Sequence, residues 1–281
     1  VVTVGAAGSN HVRATALHGA DQGLKTIGIV VPQPAHGYVR RNLLAGWAAG
    51  CRFEPVDGNA DAVRSFVRLW AKSLRTEGRP PYVLWAGGST ARGVLGYVEA
   101  AFEIDAQVKA GLMPEPEAIF VPVGSAGTMA GLVLGCRLAG LASETVGVRV
   151  YERTMANAWA VAWLARRALA LLRALDPSVP SVSLSPRSLR ILHGYCGRGY
   201  AHSTEAGTAA IRRARDLEGL ELEPTYSSKA MAAFSDYVSS APRRRRPALF
   251  IHTYNSARLT SLVENCPGPE VLPRPLQSYF D

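Results

Sequence analysis

Two periodicities alternate along the chain. Short runs rich in apolar and β-branched residues occur at Val1–Val4, Lys25–Val31, Arg52–Val56, Pro81–Trp85, Ile119–Val123, Thr145–Tyr151 and Ala248–His252. They have the character of parallel strands, the clearest buried on both faces. Between them lie stretches of helical character: Val12–His18, Ala35–Ala49, Asp61–Ser73, Tyr97–Leu112, Met129–Leu141, Met155–Leu175, Thr204–Asp216 and Ala230–Val238. Residues 188–192 read equally as strand or helix. The alternation, free of repeats and low-complexity segments, predicts an α/β fold of two open parallel-sheet α/β domains. We expect a smaller domain over residues 1–95 and a larger one over 96–281. Ligands in such folds bind outside the carboxyl ends of strands. The polar loops Ser9–His11, Gly87–Ser89, Gly124–Thr128 and Thr253–Asn255 all follow strands, which predicts one cleft between the domains.

The stretch AIFVPVGSAGTMAGLVL (Ala118–Leu134) has the strongest pattern. An apolar run ends at Val123, Gly124-Ser125-Ala126-Gly127-Thr128 comes immediately after, and a helical pattern begins at Met129. Glycines let the backbone approach a ligand, several N–H groups point one way, and the helix dipole adds partial positive charge. Ser125 and Thr128 add hydroxyls. The loop is neither GxxxxGK[ST] nor GxGxxG, which excludes a nucleoside-triphosphate lysine and weakens a dinucleotide reading. An anion site and a ligand-free tight turn both stay open at this point. A second unit of the kind, Gly5-Ala-Ala-Gly8 before Ser9-Asn10-His11, offers more polar residues than a helix cap requires.

Composition narrows the partners. A hydrophobic content of 48% supports a sizeable core, and the net charge is +9 from 31 basic and 22 acidic residues. The densest basic run, Arg243–Arg246, lies between Pro242 and Pro247 with no interleaved aromatics. That reads as a solvated connector and argues against nucleic-acid binding; the positive charge suits anionic substrates. Cys51, Cys136, Cys196 and Cys266 form no CxxC motif, so neither zinc nor a disulfide framework is indicated, and a cytoplasmic location fits. The best candidate for a membrane span, Ala156–Leu175, is interrupted by Arg166, Arg167 and Arg173 and reads as amphipathic.

Six motifs, in order, resemble one family. They are TVGAAGSNHVRATA (Thr3–Ala16), PYVLWAGGSTARGVLGYVEAAFE (Pro81–Glu103), VPVGSAGTMAGLVLG (Val121–Gly135), GYCGRGYAHSTEAG (Gly194–Gly207), LEPTYSSKAM (Leu222–Met231) and LFIHT (Leu249–Thr253). Together they resemble the 1-aminocyclopropane-1-carboxylate deaminase and D-cysteine desulfhydrase family of pyridoxal-phosphate enzymes, with the tryptophan-synthase-β-like fold (fold type II). The resemblance implies a lyase-type elimination on a small amino acid, giving a 2-oxo acid and ammonia, in a homodimer. It implies that Gly124, Ser125, Ala126, Gly127 and Thr128 hold the phosphate of pyridoxal 5'-phosphate and that Asn10 lies beside its ring. Thr253 matches a hydroxyl near the ring nitrogen. Ser9, Tyr200 and Tyr226 match residues facing the substrate, and His11 ends the Ser-Asn-His motif with no role beyond structure.

Departures from the pattern are as informative. Gly8 stands where the family usually has glutamine, and Ser227 where the deaminase has glutamate and desulfhydrases usually threonine. A hydroxyl favours a protonated ring nitrogen less than a carboxylate does, so Ser227 argues mildly against deaminase chemistry. The family's Schiff-base lysine lies in a GGNK-type motif some dozens of residues before Ser-Asn-His, whereas eight residues precede Ser9 here. None of Lys25, Lys72, Lys109 and Lys229 stands in that motif. The expectation is a chain that starts in mid-fold, lacking the N-terminal segment that carries this lysine, enzymatic only if the lysine is encoded upstream of Val1 and inactive as it stands. A homologue that has lost the lysine and binds cofactor or an amino acid is the alternative.

Overall fold

A computed structural model describes residues 1–240, 246–255, 260–264 and 266–281. Of the basic run, Arg243, Arg244 and Arg245 lie outside the described residues. The chain forms two compact units: Val1–Gly88 with Ala257–Asp281, and Ser89–Ser256. The expected boundary at 95/96 is thus displaced to Gly88/Ser89, and the C-terminal residues belong with the first unit instead of the second.

The first unit alternates β1 (Val2–Ala6), α1 (Asn10–Asp21), β2 (Ile27–Val31), α2 (Gly37–Ala48), β3 (Arg52–Pro55), α3 (Asn59–Glu77) and β4 (Val83–Leu84). Its sheet has the order β3-β2-β1-β4, with every pairing parallel. The strand expected over Pro81–Trp85 pairs through only two residues, because a tight turn at Ala86–Gly88 comes directly after it. Gly87 and Gly88 both adopt φ near +65°, a region where a Cβ is costly. Past the second unit come the short helices α9 (Thr260–Val263) and α10 (Arg274–Gln277). Leu272 and Leu276 are buried with Val12, Val39, Leu43 and Phe53. The Tyr279 hydroxyl donates to the Gln33 carbonyl at 3.0 Å and accepts from the Gln33 N–H at 2.9 Å. The C-terminal segment therefore completes the core over α1 and α2.

The second unit contains α4 (Leu95–Lys109), β5 (Ala118–Val123), α5 (Gly127–Ala139), β6 (Glu144–Arg149), α6 (Ala158–Leu175), β7 (Arg190–Leu192), α7 (Glu205–Glu218), α8 (Ser227–Ser240) and β8 (Ala248–Phe250). The parallel order is β7-β6-β5-β8, so residues 188–192 contain an edge strand after a short 3-10 turn. All six residues of β5 are buried, as expected of a central parallel strand covered on both faces. Pro122 lies inside it. Phe120 O accepts from Ile251 on the β8 side, and Val123 O accepts from Val150 on the β6 side. Pro122 therefore faces the β8 side, where pairing ends at Phe120, and its missing N–H disrupts no ladder bond.

Helix α5 is nearly all buried, and two glycines let it approach α4. A Cβ on Gly131 would lie 2.5 Å from the Val94 carbonyl oxygen, and one on Gly135 2.6 Å from that of Val98. This contact fixes where α5 starts and therefore where the preceding loop sits. Among the described residues, no helix is long and apolar enough to cross a membrane. Replacing Leu276 by Ala should cost the first unit roughly 2–5 kcal/mol, the usual effect of truncating a buried leucine. Urea unfolding monitored by fluorescence of Trp47, which packs on the same cluster, measures this.

Candidate active site

In the second unit, β5 delivers its last buried residue, Val123, directly into Gly124–Thr128. Ala126 takes a left-handed conformation with φ 69°, and α5 opens behind it with no side-chain cap. A left-handed residue ahead of an uncapped helix turns successive backbone N–H groups into one concave donor surface. Ser89 closes one side. Its Oγ donates to Ser125 Oγ at 2.7 Å, and a Cβ on Gly127 would meet Ser89 Oγ at 2.6 Å. Sequence reading placed Ser89 in one of the polar loops that follow strands but gave it no role at the Gly124–Thr128 turn.

Tyr226 forms the other wall. A Cβ on Gly124 would lie 3.2 Å from its ring. Tyr200 and Tyr226 share a hydrogen bond between their hydroxyls at 2.8 Å, with ring centroids 5.7 Å apart, and Tyr151 packs edge-on against Tyr200 at 5.1 Å. The loop and both expected tyrosines are thus assembled within one unit. The backbone around Tyr226 is fixed by a neighbouring acid. The buried Glu223 carboxylate accepts from the N–H groups of Thr225, Tyr226 and Ser227, and Ser227 Oγ accepts in return from the Glu223 N–H. This reciprocal cap starts α8 at Ser227 instead of the expected Ala230. It also commits the Ser227 hydroxyl to Glu223, through both its backbone and its carboxylate. Thr253 lies three residues beyond β8, at the same sheet end as the β5 loop.

Ser9, Asn10 and His11 belong to the first unit. Ser9 caps α1, its Oγ accepting from Val12 N–H at 3.3 Å. Asn42 steadies the turn by donating to the Gly8 carbonyl and to Asn10 Oδ1, and it accepts from the buried Arg13. Gly8 has a local reason. A Cβ there would lie 2.7 Å from Val39 and 3.0 Å from the Tyr38 ring, and Gln33 already accepts from the Gly8 N–H. His11 Nε2 hydrogen-bonds Thr3 Oγ1 at 2.9 Å. Burial lowers its pKa, with hydrogen bonds to the backbone of Leu84 and Trp85 opposing.

A family model described as pyridoxal-phosphate dependent enzyme matches residues 1–253. The chain belongs to this family of pyridoxal-phosphate-dependent enzymes. It is 33% identical over 260 residues to the D-cysteine desulfhydrase of Klebsiella pneumoniae (strain 342), covering 90% of this chain and 75% of that protein. Among solved structures it is similar to an ACC deaminase homologue, with TM-score 0.75 and 27% identity over 94% of this chain and 77% of the other. The threonine deaminase isoform 2 of Solanum lycopersicum matches with TM-score 0.56 at 15% identity, over 94% and 72% of the two chains, a likeness of fold. The family's cofactor is pyridoxal phosphate, and the donor set at the β5–α5 turn fits its phosphate: backbone N–H groups, three hydroxyls and no acidic residue between Gly124 and Thr128.

The lysines of the chain have distinct surroundings. Lys25 and Lys72 are exposed, and Lys109 pairs with Asp105 at 2.6 Å. Lys229 is fully buried, its Nζ donating to the carbonyls of Cys196 and Gly199, and burial pulls its pKa down against the opposing Glu223 charge.

Gly127→Asp should weaken pyridoxal-phosphate binding by at least about a hundredfold, because it adds bulk against Ser89 and negative charge beside the anion. Equilibrium dialysis measures this, and unchanged affinity would show that the loop is not the cradle. His11 supplies a pH signature. Its folded-state pKa is depressed, so the first unit keeps full stability above the ordinary histidine value of about 6.5. Below it stability falls, since the unfolded chain binds a proton that the folded one resists. Urea midpoints measured from pH 7 to pH 5 should fall less steeply in His11→Gln than in the unaltered protein.

Proposed function

We propose that this protein removes sulfide and ammonia from a small amino acid of the D-cysteine type, using pyridoxal phosphate held at the β5–α5 turn. The observation that carries this reading is the seating of the Tyr226 ring against Gly124 with its hydroxyl bonded to that of Tyr200. A hydrogen bond between two phenols beside an anion cradle suits a group that must accept and return a proton next to a bound cofactor. The likeness to a D-cysteine desulfhydrase and to an ACC deaminase homologue supports the same class. Commitment of the Ser227 hydroxyl to the α8 cap favours the desulfhydrase side, because it leaves that position without an ionisable partner for the ring nitrogen.

Bound cofactor supplies an electron sink for the pair released at the substrate α-carbon. The backbone of Gly124–Thr128, with Ser89, Ser125 and Thr128, grips the phosphate. By the family resemblance, Asn10 would serve the ring, Ser9 the substrate carboxylate, and Thr253 the ring-nitrogen side. Tyr200 and Tyr226 hold and move a proton at the substrate. In the net reaction the α C–H and β C–S bonds break, sulfur leaves as hydrogen sulfide, and one water hydrolyses the 2-imino acid to pyruvate and ammonia. We take the working form to be a cytoplasmic homodimer, where the free cysteines stay reduced.

The full-length gene product, supplied with pyridoxal phosphate, should release sulfide and pyruvate in equal amounts from D-cysteine and more slowly from L-cysteine. Tyr226→Phe should lower kcat by roughly 10²–10⁴-fold, the range for losing a positioned acid–base group. Cofactor binding without sulfide release from either enantiomer would refute the reading.

A further inference from the structure

The segment Gly194–Tyr200 is stitched at three points to α8 and to Tyr226, the residue just ahead of it. Tyr195 donates its hydroxyl proton to Asp236 Oδ2 at 2.7 Å. Lys229 Nζ donates to Cys196 O at 2.8 Å and Gly199 O at 2.9 Å. Tyr200 and Tyr226 join at their hydroxyls. Positions 226, 229 and 236 recur at three- and seven-residue spacing, so they share one side of the helix. The middle stitch is unusual, since lysine is almost never fully buried unless paired, and here its partners are main-chain carbonyls.

The segment needs such a hold. Gly197 and Gly199 have φ of 62° and 134°, and Ala201, fully buried, has φ 59°. Alternating left-handed residues form a backbone that relaxes unless its surroundings over-determine it. The two carbonyls gripped by Lys229 bracket this bend, immediately before Tyr200. Ahead of α8, Glu223 fixes the backbone around Tyr226 by accepting from the N–H groups of Thr225, Tyr226 and Ser227. A buried acid and a buried base, six residues apart, thus anchor the two phenols separately.

We infer that Lys229 is a positioning residue: its ammonium fixes the 196–199 bend onto α8 and so sets Tyr200 within hydrogen-bond reach of Tyr226. This deepens the proposed function, because the phenol pair matters to catalysis only if that reading holds. The amine is committed to two carbonyls and serves here as a strut instead of a nucleophile.

Arg198, exposed in the middle of the bend, offers a probe. Trypsin should cut slowly after Arg198 in the unaltered protein, because the backbone there is clamped although its side chain is accessible. In Lys229→Met the cut should come on the order of tenfold faster, as the loss of two charge-assisted bonds lowers the cost of local opening. With 3-fluorotyrosine labelling, the 19F resonances assigned by Tyr200→Phe and Tyr226→Phe should both shift in Lys229→Met and return toward their original positions in Lys229→Arg, which keeps the donors. Rapid cutting after Arg198 in the unaltered protein would overturn the inference even if the methionine variant failed to fold. So would unchanged cutting and unchanged resonances in a folded Lys229→Met. A loosened bend and shifted resonances with unaltered D-cysteine turnover would uphold the strut and instead refute the catalytic role of the phenols.

Discussion

A helix that begins without a cap leaves its first backbone N–H groups seeking an acceptor, and α5 is such a helix. The second unit is arranged around that constraint. The strand feeding α5 is buried along its whole length, and the residue that turns the chain into the helix is left-handed. Asn157 caps α6, Thr204 caps α7 and Glu223 caps α8, whereas α4, like α5, begins without a side-chain cap. At α5 an open start coincides with a buried strand and a left-handed turn. That combination suits it to an anion that supplies the missing acceptor.

Holding that start in place is a matter of close backbone approach. Gly131 and Gly135 let α4 lie against α5 near van der Waals contact with its carbonyls, and Ser89, six residues ahead of α4, abuts Gly127. The same economy governs the opposite wall, where Gly124 leaves room for the Tyr226 ring. Enlarging any one of these glycines would push on a neighbour that is itself part of the site or its support. The cofactor family therefore leaves its mark here less in reactive side chains than in side chains that must be absent.

Much of this was legible in the sequence because strong local signals carried it. The apolar run of β5, the glycines after it and the Ser-Asn-His turn all specify their own geometry within a few residues. The start of α8 was misplaced because its cap is a glutamate four residues ahead, acting through its carboxylate, where serine or aspartate is the usual signal. The Tyr-x-x-Lys segment set Lys229 apart from the other lysines as one that could face the cleft, but only tertiary context reveals that carbonyls thirty residues away receive its ammonium. The return of the C-terminus to the first unit left no periodic trace. It consists of short turns and proline-led segments whose apolar residues, Leu272 and Leu276, find their partners more than two hundred residues earlier.

That return has a bearing on how the protein is made. Gln33 and Tyr279, joined by two hydrogen bonds, are separated by 246 positions, whereas the second unit is one uninterrupted stretch, Ser89–Ser256. Domains generally fold as units, and contacts between distant positions are slow to form because the intervening chain must be closed into a loop. A folded second unit shortens that loop by bringing its own ends under control. During synthesis, the stretch Ser89–Ser256 is complete before Leu272 and Leu276, which finish the core over α1 and α2, are made. Until then the faces of α1 and α2 that receive Leu272 and Leu276 lack that cover, and transiently exposed apolar surface of this kind favours aggregation.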